Sequence, residues 1–187
     1  AGNQTVVANK RVFLETRLAS TIAQPLGTPS DNLSVSNEPI RIFGENFARG
    51  IGCHAPSDMR FPLDGRFARF QCVAGVDDSG SGSVSFEVHG DGKKLFDSGR
   101  VLRGQPGRVI DLDVTGVKEL RLVVSDAGDG TGFDWADWAD ASLKPVTGID
   151  SVMPPADAPT IHLASPLASW LISPLLGVAT INQGNIS

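Results

Sequence analysis

Short runs of alternating apolar and polar residues, each ended by a glycine-rich or proline-rich turn, most constrain the fold of this chain. The clearest run is 83–89, in which valine and phenylalanine occupy one face and polar or charged residues the other. The Gly-Asp-Gly turn at 90–92 then predicts a hairpin with the run that follows. The other predicted strands are 11–18, 39–43, 47–53, 59–63, 66–76, 93–96, 108–114 and 119–124, with a long loop over 23–38. These short strands predict an all-β chain folded as a β-sandwich.

Residues 125–143 place five aspartates and three aromatic side chains in a strand, a glycine-rich acidic loop and a return strand. If the return strand is extended, Trp135 and Asp137 share one face, and Asp134 and Trp138 share the other. Two interpretations stay open. Either one tryptophan lies in the core and the other at the rim, with the acids bonded to turns or arginines, or a tryptophan is an exposed platform for a sugar ring.

The loop carboxylates also suggest a cation. Asp126, Asp129 and Asp134 do not match the spacing of an EF-hand, but loop carboxylates and carbonyls suit a hard cation such as calcium. The alternative is that these aspartates only form Asx turns within a glycine loop. Asp77 and Asp78 carry the same two interpretations.

Charge and motif content argue against several classes of function. A net charge of −5 supplies no basic stripe for nucleic acid. The chain has three histidines and no tyrosine, and it contains no nucleophile elbow, phosphate loop or dinucleotide fingerprint. A glycosidase needs two carboxyls held across a cleft, and catalysis is the weaker hypothesis for so short a chain. We therefore expect a protein that is not an enzyme.

The two cysteines, Cys53 and Cys72, are too few for a four-ligand zinc site. They could form one disulfide, or they could be two buried free thiols, and the sequence leaves both open.

The predicted organisation has four parts. Residues 1–10 are a loose terminus, 11–144 the sandwich, 145–160 a linker by composition and 161–187 an apolar tail. Pro166 and Pro174 interrupt the tail, which argues against a bilayer span of about 20 apolar residues. Docking on the sandwich, a second copy or another chain is the expectation. The chain does not open with a basic region followed by an apolar run, and export is compatible with its first residues.

Three stretches, 47–78, 82–99 and 109–143, together resemble one known family. Their ordered motifs are GCHA at 52–55, GVDD at 75–78, GDGKKLFDSG at 90–99, GVKELRLVV at 116–124 and DWADWADASL at 134–143. In these the chain resembles the NPCBM family, also known as carbohydrate-binding module family 51.

The resemblance implies a galactose-binding-like jelly roll that binds galactose-containing glycans without catalysis. Such modules are usually parts of secreted bacterial glycoside hydrolases and often hold a structural calcium, so a secreted, periplasmic or cell-surface location is expected. The predicted sugar-binding residues are Trp135, Trp138, Asp134, His54 and Asp78, and the predicted calcium ligands are Asp126, Asp129 and Asp137.

The N-terminal region departs from the family pattern. The family carries aromatic residues there, whereas residues 18–32 of this chain contain none. A second hypothesis therefore stays open, in which the sandwich is an assembly subunit of an extracellular complex whose tail docks on a neighbouring chain.

Overall fold

The computed structural model describes residues 10–146, together with the strand pairs 171–172 and 179–180. Antiparallel strands dominate it, which confirms the prediction of an all-β chain. No helix in these ranges has the length and apolar content needed to cross a membrane. The strands in chain order are β1 (Val12–Phe13), β2 (Thr21–Ala23), β3 (Ser30–Asp31), β4 (Ile40–Ile42), β5 (Glu45–Phe47), β6 (Gly50–His54), β7 (Ser57–Pro62), β8 (Phe67–Val76), β9 (Ser83–Gly90), β10 (Lys93–Leu102), β11 (Arg108–Asp113), β12 (Glu119–Ser125), β13 (Trp135–Pro145), β14 (Leu171–Ile172) and β15 (Ala179–Thr180).

Two sheets form the galactose-binding-like sandwich. The first has the strand order β11-β8-β13-β6-β3, with β1 also paired to β13, and the second has the order β10-β9-β12-β7-β2. Apolar residues at alternate positions of both sheets meet in one core, as period-2 patterning requires. Phe86 of the second sheet meets Trp138 of the first edge to face, with ring centroids 5.0 Å apart.

A short hairpin of β4 and β5 covers part of the outer face of the first sheet. Ile40 and Ile42 on its inner side form a second, small apolar cluster with Ala139 of β13. Gly75 permits this close approach, and Gly52 permits the similar approach of the preceding segment at 33–34. A Cβ on Gly75 would lie 2.5 Å from Cγ2 of Ile42, and a Cβ on Gly52 would lie 2.4 Å from the carbonyl oxygen of Leu33.

Three sequence predictions differ from the structure near the chain start and the central hairpin. The predicted strand 11–18 is only β1 followed by a 3-10 turn at Thr16–Leu18, because the Asp31 carboxylate accepts hydrogen bonds from the backbone N–H and the hydroxyl of Thr16. The predicted loop 23–38 contains β3. Strand β10 runs past the predicted 93–96 to Leu102, with two irregularities in its register against β9.

Both cysteines are buried free thiols, which selects one of the two open interpretations. Burial raises the pKa of both thiols far above the ordinary value. They therefore act as small apolar core residues.

Residues 148–187 form a separate unit. Within it the structure describes one antiparallel pair, in which Leu171 lies opposite Thr180 and Ile172 opposite Ala179. Apart from these strands and residues 145–146, the segments predicted to be a linker (145–160) and a docking tail (161–187) lie outside the described residues.

Candidate binding site

The loops that carry the predicted site residues meet at one end of the sandwich. Strand register shows this, because His54 at the end of β6 lies opposite Trp135 at the start of β13, and Val76 at the end of β8 lies opposite Ala136. In the second sheet, the end of β12 lies beside the starts of β7 and β9. We call this end the rim; its loops are 55–56, 77–82, 103–107 and 126–134.

Trp138 is not part of the rim surface, so the prediction that it contacts sugar is wrong. Its side chain is fully buried and packs on Phe86. Ala136 and Trp138 face the core, and the alternation of the strand turns Trp135 to the opposite face. The structure therefore supports the interpretation with one tryptophan in the core and the other at the rim.

Trp135 and Phe133 form an aromatic pair at the rim. Trp135 is half-buried, Phe133 is 61% exposed, and their ring centroids are 5.8 Å apart at an angle of 57°. Phe133 has a φ of 57°, in the left-handed region that bulky residues rarely adopt, and this conformation turns its ring out of the line of the strand. An exposed aromatic pair of this kind is a surface on which a sugar ring can stack.

His54 lies on the strand beside Trp135. Its Nδ1 is 2.7 Å from the carbonyl oxygen of Ala55, so Nδ1 carries the proton and Nε2 is the acceptor in the neutral ring. Its backbone N–H donates to Oε1 of Gln24 at 3.2 Å. Gln24 belongs to the predicted loop and was not identified from the sequence.

Asp134 is buried immediately below this surface. Its Oδ1 accepts the backbone N–H of Ser83 at 3.0 Å, whereas Oδ2 is without a hydrogen-bond partner among the described residues. Burial raises the pKa of Asp134. The carboxyl lines a cavity of about 210 Å³ together with Ser83, Arg100 and Asp129. Asp134 therefore ties the start of β9 to this loop, and its contact with sugar stays a prediction.

The three predicted calcium ligands do not come together, so this set is wrong. Asp126 accepts the backbone N–H of Gly128 in an Asx turn, Asp129 binds Arg100 and Ser83, and Asp137 lies beneath the β4–β5 hairpin. Over residues 10–146 no group of three or more acids, histidines or cysteines could hold a metal ion. The sequence could not show this, because the partners of Asp129 lie 29 and 46 positions away. Calcium binding itself stays a prediction.

Asp78 supports the hairpin that covers the sheet. Its carboxylate accepts the backbone N–H groups of Phe43 and Gly44 at 3.0 and 2.8 Å, and it lies 3.3 Å from Nε of Arg41. Asp78 therefore positions the turn at 43–44, and its contact with sugar stays a prediction.

Asp137 and Asp77 form a buried acid pair under the hairpin. Both oxygens of Asp137 are buried without a partner in the described part of the chain, while Asp77 accepts the backbone N–H groups of Ser79 and Arg41 at 2.9 and 3.2 Å. Burial raises the pKa of Asp137 well above the ordinary value, and the neighbouring charge of Asp77 adds to the effect. Burial therefore favours the protonated form of Asp137, and that proton can bond to Asp77.

Comparison with known proteins identifies relatives of the whole sandwich. The sequence profile of the NPCBM/NEW2 domain matches residues 11–144. The chain is 33% identical over 127 residues to alpha-1,3-galactosidase B of Akkermansia muciniphila, and the match covers 65% of this chain. The chain spans only 8% and 16% of the length of the curated relatives that it matches.

Two solved structures from Clostridium perfringens are similar in both sequence and fold. One is the CBM51 of GH95 in complex with methyl-galactose, with 30% identity, a TM-score of 0.67, and coverage of 72% of this chain and all of that chain. The other contains CBM51-2 of ZmpB in complex with GlcNAc, with 30% identity, a TM-score of 0.68, and coverage of 73% of this chain and 32% of that chain.

Proposed function

This chain belongs to the NPCBM/NEW2 domain family, and from that premise we propose that it is a non-catalytic, extracellular module that binds galactose-containing glycans. The observation that carries the proposal is the aromatic pair at the rim, in which Phe133 is exposed and Trp135 half-buried, beside the Nε2 acceptor of His54. We call these three residues the Trp135 surface. The similar modules solved with methyl-galactose and GlcNAc support a saccharide as the ligand class.

The chemistry of this surface suits a neutral sugar. The apolar face of a pyranose ring can pack on the indole of Trp135 and the ring of Phe133. Sugar hydroxyls can donate to Nε2 of His54. A few such contacts give a dissociation constant between about 1 mM and 1 μM, since this range spans only about 4 to 8 kcal/mol.

The residues of the rim do not make a hydrolytic centre. A glycosidase requires an acid and a second carboxylate on opposite sides of the scissile bond. Asp129 is occupied by Arg100, and Asp126 by its own turn, so neither faces Asp134 as a free second carboxylate. This arrangement supports recognition without bond cleavage.

Calorimetric titration with methyl galactoside and with GlcNAc tests the proposal. We expect Trp135→Ala to weaken binding by up to about tenfold, because stacking on an aromatic side chain contributes about 0.5–1.5 kcal/mol beyond area burial. Val109→Ala is the control, because Val109 is an 80% exposed apolar side chain on the edge strand β11, outside the rim. Unchanged affinity in Trp135→Ala, or no binding by the unmodified chain across a broad panel of galactosides, would refute the proposed site.

A further inference from the structure

A second groove lies at the rim and shares no residue with the Trp135 surface. It has a volume of about 570 Å³ and is lined by Arg41, Phe43, Gly44, Asp78, Arg103 and Gly104. We call it the arginine groove. The loop 77–80 separates the two, since Asp78 lines the groove while a Cβ on Gly80 would lie 3.2 Å from Cβ of Trp135.

The turn at the tip of the β4–β5 hairpin displays an aromatic ring at this groove. Phe43 has a φ of 52° and Gly44 a φ of 83°, the pattern of a two-residue hairpin turn whose first position usually holds asparagine, aspartate or glycine. A bulky residue in this conformation is strained, yet Phe43 is 58% exposed and gains little burial in return. The Asp78 carboxylate holds the turn by accepting both of its N–H groups.

The charges that line the groove favour an anion. Two guanidinium groups oppose one carboxylate, and that carboxylate is already bonded to the turn and to Arg41. Arg103 is exposed and makes no ion pair or side-chain hydrogen bond within the described residues. The neighbouring cleft of about 330 Å³ shares Arg41 and Asp78 with the groove but also carries the acids Glu38 and Asp77. An anion should therefore bind on the Arg103 side, although the net charge of the whole chain is −5.

We propose that the arginine groove binds the anionic substituent, a carboxylate or a sulfate, of an acidic glycan whose neutral sugar occupies the Trp135 surface. This inference rests on the proposed function. Arginine presents a planar fork of N–H donors that matches both anions, and Phe43 offers an apolar face to the ring that bears the charged group. Binding at both places would make the module selective for acidic over neutral glycans.

Calorimetric titration of the full chain with lactose, sialyllactose and sulfated lactose tests the inference. We expect at least one acidic ligand to bind about tenfold tighter than lactose, the change that one charge-assisted hydrogen bond produces. Arg103→Gln should bring that acidic ligand to the affinity of lactose and leave lactose itself unchanged. A preference for one acidic ligand over the other would distinguish carboxylate from sulfate.

Arg66→Gln is the matched control, because Arg66 is an exposed arginine that pairs with Asp64 at the opposite end of the sandwich. Equal affinity of the unmodified chain for neutral and acidic ligands, or unchanged selectivity in Arg103→Gln, would overturn the inference while leaving lactose binding intact. Loss of lactose binding in Trp135→Ala with retained selectivity for the charged group would support both sites. If none of the three ligands bound, both the proposed function and this inference would be refuted.

Discussion

Replacing Asp137 with asparagine tests whether a proton holds the buried acid pair together. Asp137 is sealed between Gly52 and Gly75 of the neighbouring strands, under the β4–β5 hairpin, with both oxygens without partners in the described residues. An asparagine has nearly the same shape, carries no charge and can donate an N–H group to the Asp77 carboxylate. The variant can therefore form a bond between the two side chains at every pH.

The sign of the effect follows from the direction of the pKa shift. The pKa of Asp137 is raised in the folded state, first by burial and then by the charge of Asp77. The stability that this group contributes is complete below the unfolded-state pKa of 3.8 and is lost as pH rises through the folded-state pKa. Wild type should therefore lose stability relative to Asp137→Asn as pH rises above about 4.

The magnitude follows from the cost of leaving a buried polar group unsatisfied, about 1–3 kcal/mol. Asp137→Asn should be more stable than wild type by about this amount at pH 8. The melting temperature should then rise by roughly 3–10 °C, since 1 kcal/mol corresponds to a few degrees for a domain of this size. At pH 4, where wild type holds its proton, the two proteins should melt within about 2 °C of each other.

Thermal melts followed by circular dichroism at pH 4, 6 and 8 measure the effect. Asp140→Asn is the control, because Asp140 is an exposed acid on the same strand. An Asp137→Asn protein less stable than wild type at pH 8 would refute the reasoning. If calcium chloride raised the melting temperature of wild type but not of the variant, a cation and not a proton would neutralise the pair.

Three further predictions concern the sandwich. Gly52→Ala should lower the free energy of unfolding in urea by about 1–3 kcal/mol, because its Cβ would lie 2.4 Å from the carbonyl oxygen of Leu33; an unchanged urea midpoint would contradict this contact. Trp138→Ala should cost about 3–5 kcal/mol by the same measurement, and loss of sugar affinity without loss of stability would contradict its place in the core. A chain ending at residue 147 should melt within about 2 °C of the full chain, because the core lies between Leu14 and Leu143; a larger drop in calorimetry would show that the tail stabilises the sandwich.

The sandwich was predictable because alternation reports directly on which side chains face the core. The strand around Phe86 was identified this way, and the order of motifs pointed to the family that the sequence profile confirms. Alternation also separated Trp135 from Trp138 correctly. It could not say which face was inside, because both faces of that strand carry a tryptophan and an acid.

The site was less predictable because its residues are brought together by contacts between distant positions. Asp78 is engaged by a turn 34 and 35 positions earlier, and Asp129 by an arginine 29 positions earlier. Asp137 lies between two strands that are covered by the segments at 33–34 and 40–42. These segments can approach the strands closely because Gly52 and Gly75 have no side chains. The exposure of Phe133 depends on a positive φ that no alternating pattern reports.

The β4–β5 hairpin has a practical consequence for altering the ligand preference of this module. Its inner isoleucines and the backbone N–H of Arg41 cover the buried acids, whereas its tip at 43–44 and the Arg41 side chain line the groove. A mutant library confined to Phe43 and the facing loop at 103–104 could change specificity without exposing the buried acids. Randomising the inner positions of the same hairpin would instead expose the acids to water. Most variants in such a library would then be lost because they are unstable, whatever their affinity for a glycan.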